Sequence, residues 1–351
     1  MTSILIDPII VATPESSEEA EEIKAWLYNL DSWLKEADSS LYNWYYSANA
    51  IYNLYDIQRY PDFKRVQTWV RQYKLDINLG IITKRLATFF QNPDLDIGHK
   101  LKDLEKELER FGYLVECEPN SIVIQPEQFV SRWPIVIKDL MSPVLATTCA
   151  CKHHNKHEFA KELSIATLAL TKEDKEIEVT ATILASMPDI ELEENRKISQ
   201  SFPLIFTPDD LPSLLDIVEL WNKGEAGIRL AIEQNYEQGW SNRLKFHLGE
   251  DFIESVRDAN LNYDETLINK IVRTMAAVVA DEAKNSKGFR LEQFRETIAG
   301  NSPQEIRASD QAGRWRVSLI MGGPAWRLHY WQIPDKQFGN VIEFQEVEKG
   351  H

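Results

Sequence analysis

Cysteine, phosphate-binding glycine loops and long apolar runs are what this chain has least of, and each scarcity removes a class of function. Three cysteines in 351 residues are too few, and odd in number, for a disulfide framework. That usage points to a reducing compartment, the cytoplasm. No apolar stretch approaches the roughly 20 residues that cross a bilayer, so no membrane partner is expected. The opening MTSILIDPIIVATPE lacks the basic region and small-residue cleavage site of a signal peptide and reads as a first strand. No glycine-rich phosphate loop, HExxH or GxSxG occurs, which leaves nicotinamide, nucleotide-triphosphate and serine-hydrolase chemistry without support. No cofactor is expected.

What is present describes an acidic globular protein. Hydrophobic residues make up 43% and charged residues 27% of the chain, enough apolar content for two or three cores. The net charge of -16 is unevenly placed. From Arg243 onward 15 basic residues face 16 acidic ones, so residues 1–242 hold the other 24 and 39, a net of -15. Between Lys284 and Tyr330 eight basic residues outnumber four acidic ones. An acidic body therefore carries a locally basic C-terminal segment.

Periodicity gives an α+β fold class with three parts: a mainly helical region 1–112, a mixed region 113–242, and an α+β region 243–351 in which two helices pack an antiparallel sheet. Ser16 and Glu19 have capping-box spacing ahead of Ile23, Trp26, Leu27, Leu30, Trp33 and Leu34, which recur at helical intervals. Seven aromatics crowd Tyr42–Tyr60. Two hairpins are expected, one turning at EPNS (118–121) and one at KEDKE (172–176), followed by helix from Pro203 to Trp240.

The richest stretch is Arg314–Gln345. Period-2 alternation opposes Trp315, Val317 and Leu319 to Arg314, Arg316 and Ser318. It likewise opposes Trp326, Leu328 and Tyr330 to Arg327, His329 and Trp331, and Ile342 and Phe344 to Glu343 and Gln345. If the three strands are neighbours, one face buries apolar side chains and the other gathers three arginines, a histidine, an indole and a carboxylate.

The element order strand, two helices, three strands, with RWRVSLI, WRLHYW and VIEFQEVEKGH, resembles the RelE/ParE family of small bacterial toxins over about 105 residues. Many members of that family are metal-independent endoribonucleases acting on messenger RNA at the ribosome, while others poison DNA gyrase. The resemblance implies the first activity for a site of this kind, with a protein partner or antitoxin among the expected partners. Arg314, Arg316 and Arg327 would then bind and stabilise the scissile phosphate, and His351 would fall where the last strand ends. Arginine forks suit phosphate oxygens, and His329 is expected to supply acid or base chemistry near neutral pH. Trp331 and Glu343 complete the expected site. Partners on this reading are RNA or the ribosome, in toxin–antitoxin or phage-defence systems.

Two other constellations stand out. Cys149, Cys151 and His153 share a face if CACKHHNKH is a strand, and with His157 they make a candidate metal set, although the spacing matches no strong zinc signature. The aromatic cluster either packs a core or stacks on a ligand. The second functional expectation is therefore a non-enzymatic adaptor that docks a protein partner through the aromatic helices.

Overall fold

The computed structural model describes residues 2–14, 20–38, 41–116, 118, 121–155, 158–168, 175–185, 196–258, 265–284, 290–295, 302–319, 326–337 and 339–349. The fold is α+β, in two compact units, Met1–Leu214 and Leu215–His351. The capping box at Ser16 and Glu19 lies outside the described residues. The boundaries expected from periodicity lie at 112 and 242. In the structure the helix Ile97–Arg110 packs on the helix Ile135–His153, and the helix Gly224–Gln234 packs on the helix Glu265–Val279, so packing runs across both positions.

The first unit is built on seven strands: β1 (Ser3–Ile6), β2 (Asn43–Tyr45), β3 (Tyr113–Val115), β4 (Val123–Gln125), β5 (Leu163–Ala166), β6 (Glu176–Ala185) and β7 (Arg196–Ile205). Their order is β2-β1-β5-β7-β6-β3, with β4 also on β6. The β2-β1-β5-β7 part is parallel and the remainder antiparallel. Parallel strands need crossover connections, and the helix Ala20–Ala37 supplies the one from β1 to β2. Its Ile23, Trp26, Leu27, Leu30, Trp33 and Leu34 are all buried, as their spacing requires. Every residue of β1 is buried, the mark of a strand covered on both faces.

Both expected hairpins are corrected. β3 and β4 do not pair with each other. They lie end to end along one edge of β6, opposite 183–185 and 178–180; Pro119 and Asn120 of EPNS, and 172–174 of KEDKE, lie outside the described residues. β5 joins β1 and β7, and the hairpin partner of β6 is β7. Alternation in β6 placed Ile177, Val179, Ala181 and Ile183 inward correctly, since all four are fully buried. β7, RKISQSFPLI, was missed because its apolar set is interrupted, and it replaces the expected start of helix at Pro203.

The second unit carries β8 (Lys245–Leu248), β9 (Arg290–Gln293), β10 (Ile306–Arg307), β11 (Ala312–Ser318), β12 (Trp326–Asp335) and β13 (Gly339–Lys349) in the order β10-β11-β12-β13-β8, with β9 also on β11. The three C-terminal strands are neighbours and antiparallel, and β8 runs parallel to β13. Val317, Leu328, Tyr330, Ile342, Phe344 and Val347 form the buried face, and Phe252 packs against Phe344. Among the described residues no helix is long and apolar enough to cross a membrane.

One glycine is fixed by close approach. Gly227, in the helix Gly224–Gln234, faces the end of the helix Ile217–Asn222. A Cβ built there would stand 1.9 Å from the Leu220 carbonyl oxygen. Backbone cannot swing aside as a side chain can, so Gly227→Ala should destabilise the second unit at the upper end of the roughly 1–3 kcal/mol seen for overpacking. A lowered urea midpoint at unchanged slope is the expected result.

Candidate functional site

The charged face of the second sheet assembles as alternation predicts, with one change. Arg314, Trp331 and Glu343 align across the strands, then Arg316, His329 and Glu346, then Ser318, Arg327 and Glu348. The register between β12 and β13 shifts after Tyr330–Phe344, leaving Gln345 as a bulge. The bulge turns Gln345 out of the expected series and brings Glu346 and Glu348 onto the charged face.

The arginines of this face are matched by carboxylates. Arg314 donates to Glu305 at 3.2 Å and to Glu346 at 2.7 Å. Arg316 donates to Glu292 through Nε and Nη2 at 2.9 and 2.6 Å. Arg307, from β10, grips Asp310 and Glu343 at 2.6 and 2.8 Å. Hydrogen bonds from Arg307 hold both the Glu343 and Asp310 carboxyls below their ordinary range, and those bonds push the Arg307 guanidinium up. Burial pushes the Glu292 carboxyl up, but Arg316 and Arg290 overcome it and the net direction is down. Among the described residues Arg327 is the cation of this face with no carboxylate at ion-pair distance. The expected open basic patch is therefore corrected to a lattice of alternating charge.

His329 sits at its centre and is 1% exposed. Phe294, which follows β9, tilts against the imidazole at 5.3 Å, and the Arg314 guanidinium lies over the Phe294 ring at 4.3 Å. Burial, then the charges of Arg314, Arg316 and Arg327, push the imidazole down to about 3. Glu348 and Glu346 stand 3.3 and 3.9 Å from its two nitrogens and favour the imidazolium. Glu346 is closer to Arg314, and desolvation with three guanidiniums prevails. The expectation that His329 titrates near neutral pH is corrected: the ring is neutral at pH 7, and among the described residues neither nitrogen has a hydrogen-bond partner. His351 lies outside the described residues.

The Cys/His segment is helical, which corrects its strand periodicity. On the helix Ile135–His153, Cys149 is directed at the Val179 carbonyl of β6 at 3.1 Å, and Cys151 at the Leu104 carbonyl of the helix Ile97–Arg110 at 3.7 Å. Two residues on a helix point about 200° apart, so the thiols reach different neighbours. Burial raises both thiols to about 12, which disfavours the thiolate that metals bind. His153 faces Gln200, and His157 lies outside the described residues.

The aromatic cluster divides between core and surface. Tyr42, Trp44, Tyr45 and Tyr46 belong to β2 and its flanks, not to a helix, and are buried. The helix Ala48–Asp56 then carries Tyr52 and Tyr55, 70% and 57% exposed. Gln58, in the left-handed region at φ 58°, turns the chain so that Tyr60 returns to stack on Tyr55 at 4.4 Å. Arg59 ties this turn to the Thr13 carbonyl. A groove of about 400 Å³ results. Its walls are Ile51, Tyr52, Tyr55, Tyr60, Pro61 and Phe63 on one side and Thr83, Leu86, Ala87 and Phe90 of the helix Leu79–Phe90 on the other. Tyr46 closes it and donates to the Phe90 carbonyl at 2.8 Å. Burial raises the Tyr46 and Tyr60 phenols to about 12, so both remain protonated at neutral pH. Among the described residues Asp62 is the single formal charge in the walls. Its Oδ1 caps the helix Phe63–Gln72 through the Lys64 and Arg65 amides.

Sequence reasoning missed the carboxylates Glu292, Glu305, Asp310, Glu346 and Glu348, because those outside the three strands become neighbours only through long-range pairing and those within β13 depend on the bulge. Glu292 and Phe294 had a weak signal in the apolar and charged alternation of FRLEQF. No protein-family model, curated protein or solved structure matches the chain.

Proposed function

We propose that the protein is a non-enzymatic interaction protein, whose first unit docks an extended segment of a partner protein with proline or aliphatic side chains and a lysine or arginine among them. The observation that carries this reading is the groove between the helices Ala48–Asp56 and Leu79–Phe90, with Tyr52, Tyr55 and Phe63 exposed beside it. Tyrosine offers large contact area at low entropic cost, and aromatic-lined grooves suit preformed extended peptides. Asp62 marks one end for a cation, and the net charge of -15 over residues 1–242 favours a basic segment at a distance. The lattice of ion pairs in the second unit fits a scaffold on this reading.

Selection of displayed random peptides on the full chain tests it. Enriched sequences should combine a basic residue with proline or aliphatic residues. The double variant Tyr52→Ala, Tyr55→Ala should weaken the best of them by about 2 kcal/mol or more, roughly thirtyfold. Equal affinity for the variant would refute the docking site.

A second reading, the RNA-acting effector implied by the likeness to RelE/ParE toxins, is favoured by one observation: among the described residues Arg327 has no carboxylate at ion-pair distance, and it sits beside the neutral His329 on the same face. Here the compartment is the cytoplasm, the partner RNA or the ribosome, and an antitoxin the restraint. Growth arrest on inducing the full chain, relieved by Arg327→Ala in a folded variant, is the outcome this reading requires.

A further inference from the structure

The tyrosine groove gathers five reachable aromatic rings around one carboxylate. Tyr52, Tyr55 and Phe63 are 70%, 57% and 45% exposed, and Tyr60 and Phe90, which line the same groove, are half-buried. Stacking within 20° of parallel holds Tyr55 and Tyr60 as one wall, and Tyr46 holds Phe90 edge-to-face at 4.9 Å. The face of an aromatic ring is the negative end of its quadrupole and attracts a cation. Among the described residues no lysine or arginine lies over any of the five rings. The arginines of the adjoining turn are engaged elsewhere: Arg59 on the Thr13 carbonyl, and Arg65 on the Gln58 carbonyl and over the Trp69 ring at 4.7 Å. Asp62 is likewise open. Its Oδ1 serves the Lys64 and Arg65 amides, and among the described residues no cation stands at ion-pair distance from it. The complementary cation has to come from a ligand.

The walls decide which cation fits. A bare ammonium is strongly hydrated and brings three N–H donors, and a guanidinium brings five. Rings and the aliphatic surface of Ile51 and Leu86 return neither that hydration nor the acceptors. A trimethylammonium group has no N–H to strand, and its methyl groups carry the charge directly onto ring faces. Taking this groove as the docking surface proposed above, we infer that its cationic guest is the side chain of a trimethylated lysine in the partner's extended segment. The methyl groups lie against the rings and the charge faces Asp62. At about 400 Å³ the groove has room for the apolar lysine stem as well as the head group, which favours a side chain carried by a partner over a small free cation.

Calorimetric titration of the full chain tests this with four probes: the Nα-acetyl amides of trimethyl-lysine and of lysine, the neutral tert-butyl analogue of the first, and choline. The trimethyl-lysine amide should bind saturably and about tenfold more tightly than each of the others, as cation–π contact with several rings requires. Tyr52→Leu and Phe63→Leu should each reduce that preference, whereas Tyr52→Phe, which restores the ring, should recover it. Asp62→Asn preserves the helix cap and should weaken the trimethyl-lysine amide but not the tert-butyl analogue. Absence of saturable binding by the trimethyl-lysine amide, equal binding of the lysine amide, the tert-butyl analogue or choline, or a preference unchanged in both leucine variants would overturn the inference. None of these results touches the peptide selection or its Tyr52→Ala, Tyr55→Ala control, so failure here and failure of the docking site are read separately.

Discussion

Asp7→Asn should lower the thermal midpoint of the first unit by roughly 10 °C, about 3 kcal/mol at 2–4 °C per kcal/mol for a unit of this size. Asp7 follows β1, is fully buried, and sees only donors. Its Oδ1 accepts from the Ile9 amide at 3.0 Å and the Trp133 indole at 2.8 Å, and its Oδ2 accepts from the Thr167 hydroxyl at 2.5 Å. Arg132 Nη2 stands 3.7 Å from Oδ2 and donates to Thr167 Oγ1 at 3.0 Å, which directs the Thr167 proton at Asp7. Burial pushes the Asp7 carboxyl up, against the pull of Thr167, Ile9, Arg132 and Trp133. An asparagine amide would place hydrogens where Arg132 and Thr167 already donate, leaving buried donors opposed. The network ties the ends of β1 and β5 to the segment carrying Arg132 and Trp133, residues distant in sequence. A midpoint within about 2 °C of wild type would show that the network contributes little.

Acid should unfold the second unit through His329. Its folded pKa of about 3 lies below the ordinary histidine value of 6.5. Between these values the unfolded chain binds a proton that the folded one does not. The stabilisation is therefore complete above pH 6.5 and declines as pH falls toward 3, by about 1.4 kcal/mol per pH unit. From pH 7 to pH 5 the loss is about 2 kcal/mol. Urea unfolding at both values should show this excess loss in wild type and not in His329→Gln. Equal losses in the two proteins would mean that His329 protonates without opening the sheet.

Legibility from sequence followed the range of the interactions involved. Period-2 alternation placed Val317, Leu328 and Phe344 inward, and helical spacing found Ile23 through Leu34, because both patterns are local. Pairing was less legible. The partners of β3, β4 and β5 are set by long-range register, and an apolar run does not say which strand it joins. The charged face was legible as a set of cations. Its neutralisation was not, since Glu292 reaches Arg316 from β9, and Glu346 aligns with His329 only because Gln345 bulges. The CxC segment misled because a buried helix and a strand both admit small apolar runs, and the helix length from Ile135 to His153 was the deciding signal. The tyrosine groove depends on the turn at Gln58, a residue with no glycine or proline to announce it.

On the proposed docking function, the helical region of the first unit, and not the charged sheet, is the working surface. Hydrogen exchange of the full chain with the best selected peptide tests it most directly. Slowed exchange confined to residues 48–63 and 79–91 is the expected result. Protection over residues 312–349 with none in the groove would contradict it and favour the sheet face instead.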